Sequence, residues 1–262
     1  MNGMRLIKDE FIKLKRCNIL WVGIITLLCS PLLSVLQQES LNAPIPDYGY
    51  ANLVNGVIWN NMGFFLPVTL MLLGGYMINR EYTDDTLKEI FTIPISYKKL
   101  MLGKIGALLI LSILYSCYSF LLTTGISAIF YPGGLNGMAV IKALIQICGM
   151  GLCICISILP FVCWCGAAKN RFWVGTVLVF VYGFLGIPLA GHGFQDYYPI
   201  SAGLSIIQYS GDTGSTATNF RPEIAGVVLL ATLVLSFAYF GHPRKKETSI
   251  NLSIGVVHMG NC

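Results

Sequence analysis

The sequence predicts an all-α membrane protein: six transmembrane helices, an N-terminal interfacial helix, and a short cytoplasmic helix between spans two and three. Three observations predict it. Of 262 residues, 55% are hydrophobic and only 11% charged, less than half the roughly 25% charge of soluble domains. Six apolar segments contain no Asp, Glu, Lys or Arg. With those segments threaded through a bilayer, fifteen of the 17 Lys and Arg residues fall on one side and only Lys142 and Arg221 on the other, which by the positive-inside rule places both termini in the cytoplasm. The net charge of +5 is scattered and no basic-aromatic patch occurs, which argues against a nucleic-acid partner.

The elements follow in order. In residues 1–18, Met4, Ile7, Phe11 and Leu14 recur at spacings of three and four, with Lys8, Lys13, Lys15 and Arg16 elsewhere. That pattern suits a basic helix lying in the cytoplasmic interface; an ordinary positive-inside flank fits it equally. The first apolar run, 19–36, exceeds a signal-peptide core, and its exit Gln37-Gln38-Glu39-Ser40 has no small-x-small cleavage site, so it reads as a retained span. The membrane domain, 19–240, continues with 62–78, 105–130, 143–167, 172–190 and 224–240. At about 1.5 Å per residue even the shortest approaches the roughly 30 Å hydrocarbon thickness, and Pro67, Pro160 and Pro188 are tolerated in membrane helices. Trp164 and Trp173 flank a tight cytoplasmic turn as interfacial anchors. Outside lie 37–61, 131–141 and 191–223; within the last, 200–207 is apolar enough to re-enter the interface, and His192 and Asp196 read as solvated loop residues or substrate contacts. The cytoplasmic tail, 241–262, alternates Ile250, Leu252, Ile254 and Val256, which leaves a strand and disorder both open.

Absences narrow the chemistry. Seven of the nine cysteines (Cys29, Cys117, Cys148, Cys153, Cys155, Cys163, Cys165) fall in apolar runs without zinc-site spacing or a nearby histidine; they read as small packing residues, and no metal site is expected. There is no P-loop pattern, since Gly103-Lys104 runs into Ile105. The spans carry none of the ionisable residues that mark proton or ion relays. Gly125-Ile126-Ser127-Ala128 has the look of an intramembrane serine-protease motif, but His192, His242 and His258 all lie outside the spans, so the serine lacks a base. The chain is expected to have no catalytic residue and to bind no cofactor itself.

The most informative stretch is residues 79–99. Thr83 can cap a helix whose first turn holds Asp84 and Asp85, where the macrodipole favours carboxylates. Leu87, Ile90 and Phe91 then share a face, Pro94 prevents continuation, and Ser96 can cap the next helix. The result is a short amphipathic helix held against the cytoplasmic face. Here Glu81-Tyr82, Thr86-Leu87-Lys88, Pro94-Ile95-Ser96 and Lys104 resemble the signature between the second and third spans of type-2 ABC permeases, and the order of interfacial helix, six spans and this segment is similar too. Size and the long last external segment are most like the bacitracin- and lantibiotic-resistance permeases. Tyr97 stands where a basic residue often follows the serine, with Lys98 next.

The resemblance implies a coupling helix seated on an ABC ATP-binding subunit. Glu81, Thr86, Leu87, Lys88, Glu89, Ile90, Phe91 and Pro94 would form that junction, with Glu81 contacting the N-terminal helix and Lys104 a basic anchor at the start of span three. It further implies two copies of the ATP-binding subunit, which carry the ATP and Mg, and a second permease as homodimer or heterodimer partner. The expected function is ATP-driven export of a peptide antibiotic or other amphipathic substrate from the bacterial plasma membrane; the rival reading is a non-transporting sensor or scaffold that docks a cytoplasmic partner. One further pattern concerns span three, where Ser112, Ser116, Ser119, Thr123 and Ser127 share one helical face. It suits helix packing or the lining of a transport path, and Gly149 and Gly151 in span four permit the same close approach.

Overall fold

The computed structural model describes residues 3–15, 18–40, 48–83, 97–165, 172–211 and 220–241. These form α1 (Gly3–Lys15), α2 (Ile19–Ser40), α3 (Tyr50–Asn60), a π-helical turn (Asn61–Phe65), α4 (Leu66–Thr83), α5 (Tyr97–Phe130), α6 (Gly137–Cys165), α7 (Phe172–Gly191), α8 (Pro199–Ile206) and α9 (Pro222–Gly241). Among the described residues there is no strand. The protein is an all-helical membrane protein: five helices are long and apolar enough to cross a bilayer, and α9 adds a shorter apolar stretch over Pro222–Ala238.

The surface of α2, α7 and α9 is what a bilayer requires. Ile25 on α2, Val177 on α7 and Val227 on α9 are each more than 60% exposed, an arrangement that water would penalise and lipid accepts. Most of the inside is a single core that includes Leu27, Met62, Leu70, Leu108, Ile154, Val179 and Leu204, all at 0% exposure except Leu108 at 1%, and Cys153, Ala202, Ala225 and Leu229 form a smaller cluster beside it. In sequence order, α5 packs on α6, α4 lies between α6 and α7, and α9 closes over α6 and α8.

Two differences from the sequence reading have physical causes. Hydropathy starts span two at residue 62, whereas the helix begins at Tyr50 and runs through the π-helical turn to Thr83. Asn60 and Asn61 end the apolar run in sequence, but neither meets lipid. The Asn60 amide donates to Ser34 Oγ at 3.0 Å and to Gln37 Oε1 at 3.3 Å, and the Asn61 amide donates to Ser119 Oγ at 3.0 Å. Residues 50–61 are therefore helix packed against spans one and three rather than an external loop.

Asp196 departs further. It is buried at 4% exposure, and its Oδ1 accepts from the Ser205 hydroxyl and from the Arg221 backbone N–H at the entrance to α9. Neither solvation nor substrate contact describes it; it ties α8 to α9. His192 remains exposed, its Nδ1 2.7 Å from the Pro188 carbonyl. The apolar segment expected at the interface forms α8, whose Ile200, Ala202 and Leu204 are all fully buried.

Candidate functional site

Span two leaves the membrane at the end of α4 and span three begins with α5, so the ends of these two helices flank residues 84–96. Those residues, with Thr86, Leu87, Lys88, Glu89, Ile90, Phe91 and Pro94, lie outside the described residues, as does the side chain of Glu81. What the structure does place is the pair of helix ends on either side of them.

Against these two helices lies α1. Its inner face carries Leu6, Glu10 and Leu14 at spacings of four, exposed by only 7%, 4% and 2%. Close approach to α5 is made possible by glycine: a Cβ on Gly103 would come within 3.0 Å of Leu6 Cβ, and one on Gly106 within 2.9 Å of Ile7 Cδ1. Gly103 and Gly106 are three apart and so share a face, which forms a shallow saddle for the interfacial helix.

Within this contact sits an ion pair. Lys104 Nζ lies 3.0 Å from Glu10 Oε2, and both side chains are only 5% exposed. The same ammonium donates to the Met77 carbonyl of α4 at 2.8 Å. Glu10 Oε1 accepts from Lys13 at 3.2 Å, and Arg80 Nη1 donates to the Lys13 carbonyl at 2.9 Å, satisfying one of the acceptors that the last turn of a helix leaves open. One lysine thus joins three helices: α1 through charge, α4 through its backbone, and α5 through the chain itself. Burying two charges is costly unless they are paired and further hydrogen-bonded, and here both conditions hold. A change in the relative positions of α1, α4 and α5 would separate charges in a water-poor setting, which disfavours it.

Lys104 is therefore an internal bolt, where the family resemblance implies a basic anchor. Glu10 was the residue that sequence reasoning passed over. Its signal was present: it stands three residues after Ile7 and four before Leu14, which places an acid on the apolar face of a basic helix.

A second polar region runs along α5 from Ser112 to Ser127. Ser112, Ser116, Ser119, Thr123 and Ser127 are buried, none above 1% exposure. Ser112 donates to the Gly151 carbonyl at 2.8 Å, Ser119 accepts from Asn61, Thr123 donates back to the Ser119 carbonyl at 2.7 Å, and Ser127 to the Tyr131 carbonyl at 2.8 Å. Added Cβ atoms would collide with Ser116 Oγ at Gly151 and with the Gly63 carbonyl at Gly183. The stripe faces neighbouring helices, with α5 and α6 in direct backbone proximity. Beyond the C-terminal end of α5, Tyr48 and Tyr131 stack edge to face at 4.8 Å and Tyr131 donates to Glu39 at 3.1 Å. Burial, with a smaller contribution from Tyr131, pushes the Tyr48 hydroxyl up to about 12, so it stays neutral at physiological pH.

A multi-pass helical bundle whose N-terminal helix is tied by a buried ion pair to α4 and α5 defines an integral membrane protein. The comparisons give that class its family. A model described as "ABC-2 family transporter protein" matches residues 6–186, well over half of the chain, and the chain belongs to that family. It is a transport subunit, a multi-pass protein of the plasma membrane that works with an ABC ATP-binding subunit and another permease. The "Bacitracin transport permease protein BCRB" of Bacillus licheniformis is 26% identical over 182 residues, covering 68% of this chain and 84% of the relative.

Proposed function

We propose that this permease is the membrane half of an exporter that removes a peptide antibiotic, or a similarly amphipathic molecule, from the plasma membrane. The observation that carries the reading is the buried Glu10–Lys104–Met77 junction, which gives a push on the segment between spans two and three a rigid path into the bundle. In this reading residues 86–91 form the surface that the ATP-binding subunit presses, Glu81 and Pro94 bound that segment, and both termini are cytoplasmic. Two ATP-binding subunits carry the ATP and Mg. The uncharged spans and their exposed apolar faces suit a substrate taken from lipid rather than from water. The likeness to a permease named for bacitracin transport supports a peptide antibiotic as the cargo.

The test is reconstitution of the chain with its ATP-binding subunit in proteoliposomes. Peptide-stimulated ATP hydrolysis, together with raised resistance of cells that make the complex, is expected. ATP turnover indifferent to peptide, and cells no more resistant with the complex than without it, would sink the assignment.

A further inference from the structure

The outer side of α1 holds a feature that the junction does not use. Between α1 and the first turn of α2 lies a cleft of about 420 Å³, lined by Lys8, Phe11, Lys15, Asn18, Leu20 and Trp21, with Ile12 at its edge. Lys8 and Lys15 are seven residues apart, close to two full turns, so they share a face of α1 and stand roughly 10 Å apart along its axis. Both are exposed, and none of the lining residues is acidic. Phe11, Leu20 and Trp21 supply apolar walls, while the beginning of α2, just after Asn18, turns the positive end of a helix dipole toward the cleft.

A second observation says what enters it. From Trp21 an apolar stripe continues down α2 through Ile25, Leu28, Leu32 and Leu36, exposed by 63%, 62%, 39%, 45% and 60%. Its spacings of 4, 3, 4 and 4 keep it on one face of the helix. A cationic cleft at one end of a long lipid-facing stripe matches a molecule with an anionic phosphate head and a hydrocarbon tail. We infer that this cleft binds the headgroup of an anionic phospholipid of the cytoplasmic leaflet, with an acyl chain lying along the Trp21–Leu36 stripe. The inference rests on the cytoplasmic placement of α1 proposed above. The bound lipid holds α1 from its outer side while Glu10 holds it from the inner, so lipid charge sets how firmly the interfacial helix is seated.

Native mass spectrometry of the full chain, released from micelles containing equimolar phosphatidylglycerol and phosphatidylethanolamine, tests this. The wild type is expected to retain phosphatidylglycerol preferentially. Lys8→Glu with Lys15→Glu should abolish that preference, and Lys8→Gln or Lys15→Gln alone should each weaken it roughly fivefold, the scale of one lysine near an anionic surface. Both lysines are exposed and outside the buried junction, and equal thermal unfolding of variant and wild type verifies the fold. Equal retention of the two lipids by the wild type, or a preference unchanged in the double variant, overturns the inference. So does loss of a co-purifying ATP-binding subunit with lipid retention intact, because the lysines would then serve a protein surface. Selective retention by a chain that captures no ATP-binding subunit upholds the lipid site and counts only against the exporter reading.

Discussion

The junction of α1, α4 and α5 and the serine seam along α5 both join helices through buried polar groups, yet they do so by opposite means. At the junction, the Glu10–Lys104 pair is charged, directional and shared by three helices, with α1 joined to α4 and α5. Along the seam the contacts are neutral hydroxyls and amides such as Ser112 to Gly151 and Asn61 to Ser119. Charge gives the junction a stiff, all-or-none character, because half of a broken pair is left buried without compensation. Hydroxyls can exchange one acceptor for another at small cost, so the loss of one contact along the seam should weigh less than the loss of either member of the pair.

Substitutions can break or sharpen that contrast. The largest effect is expected at the pair itself. Glu10→Ala strands the buried Lys104 ammonium without a counter-charge and should cost about 3–5 kcal/mol of stability, and Lys104→Met, which leaves Glu10 with the half-exposed Lys13 alone, should cost somewhat less, both read as denaturant unfolding in mild detergent. The double variant Glu10→Met with Lys104→Met should recover most of that loss, since a matched apolar pair is often as stable as the ions it replaces. Failure of the double variant to recover would show that shape rather than charge governs the junction.

Gly183→Ala comes next. Its methyl would meet the Gly63 carbonyl, a backbone atom in the π-helical turn that cannot swing aside, and overpacking of this kind costs about 1–3 kcal/mol. At the seam, Ser119→Ala removes the partner of the Asn61 amide and should cost about 0.6–1.7 kcal/mol, the range for polar contacts between membrane helices. The smallest effect belongs to Lys13→Ala. Its side chain is 43% exposed although it touches Glu10, and exposed ion pairs contribute about 0.2–1 kcal/mol. A seam substitution that matched Lys104→Met would erase the distinction between the two regions.

The sequence carried the helices better than their polar connections. Uncharged runs and the basic asymmetry reveal spans, because lipid acts on every residue of a run at once. Hydropathy could not extend span two to Tyr50, since Asn60 and Asn61 look like loop residues until Ser34 and Ser119, 26 and 58 residues away, supply their partners. The same non-locality hid Glu10, whose lysine lies 94 residues further on. Asp196 looked solvated for the same reason: its partners, Ser205 and the Arg221 N–H, come together only when α8 folds beneath α9. The periodicity of the serine stripe was legible, because one face of one helix is a local property. The surface expected at 86–91 lies outside the described residues.

The most direct test of the junction's role is a charge swap in the reconstituted complex, with peptide-stimulated ATP hydrolysis as the readout. Glu10→Lys and Lys104→Glu should each retain the ATP-binding subunit but lose stimulation. The double exchange remakes the ion pair but sets a carboxylate against the Met77 carbonyl and an ammonium beside Lys13, so it should restore stimulation in part, above either single variant. Single variants that respond like the wild type, or a double exchange no better than either single, would contradict a rigid path through Glu10 and Lys104.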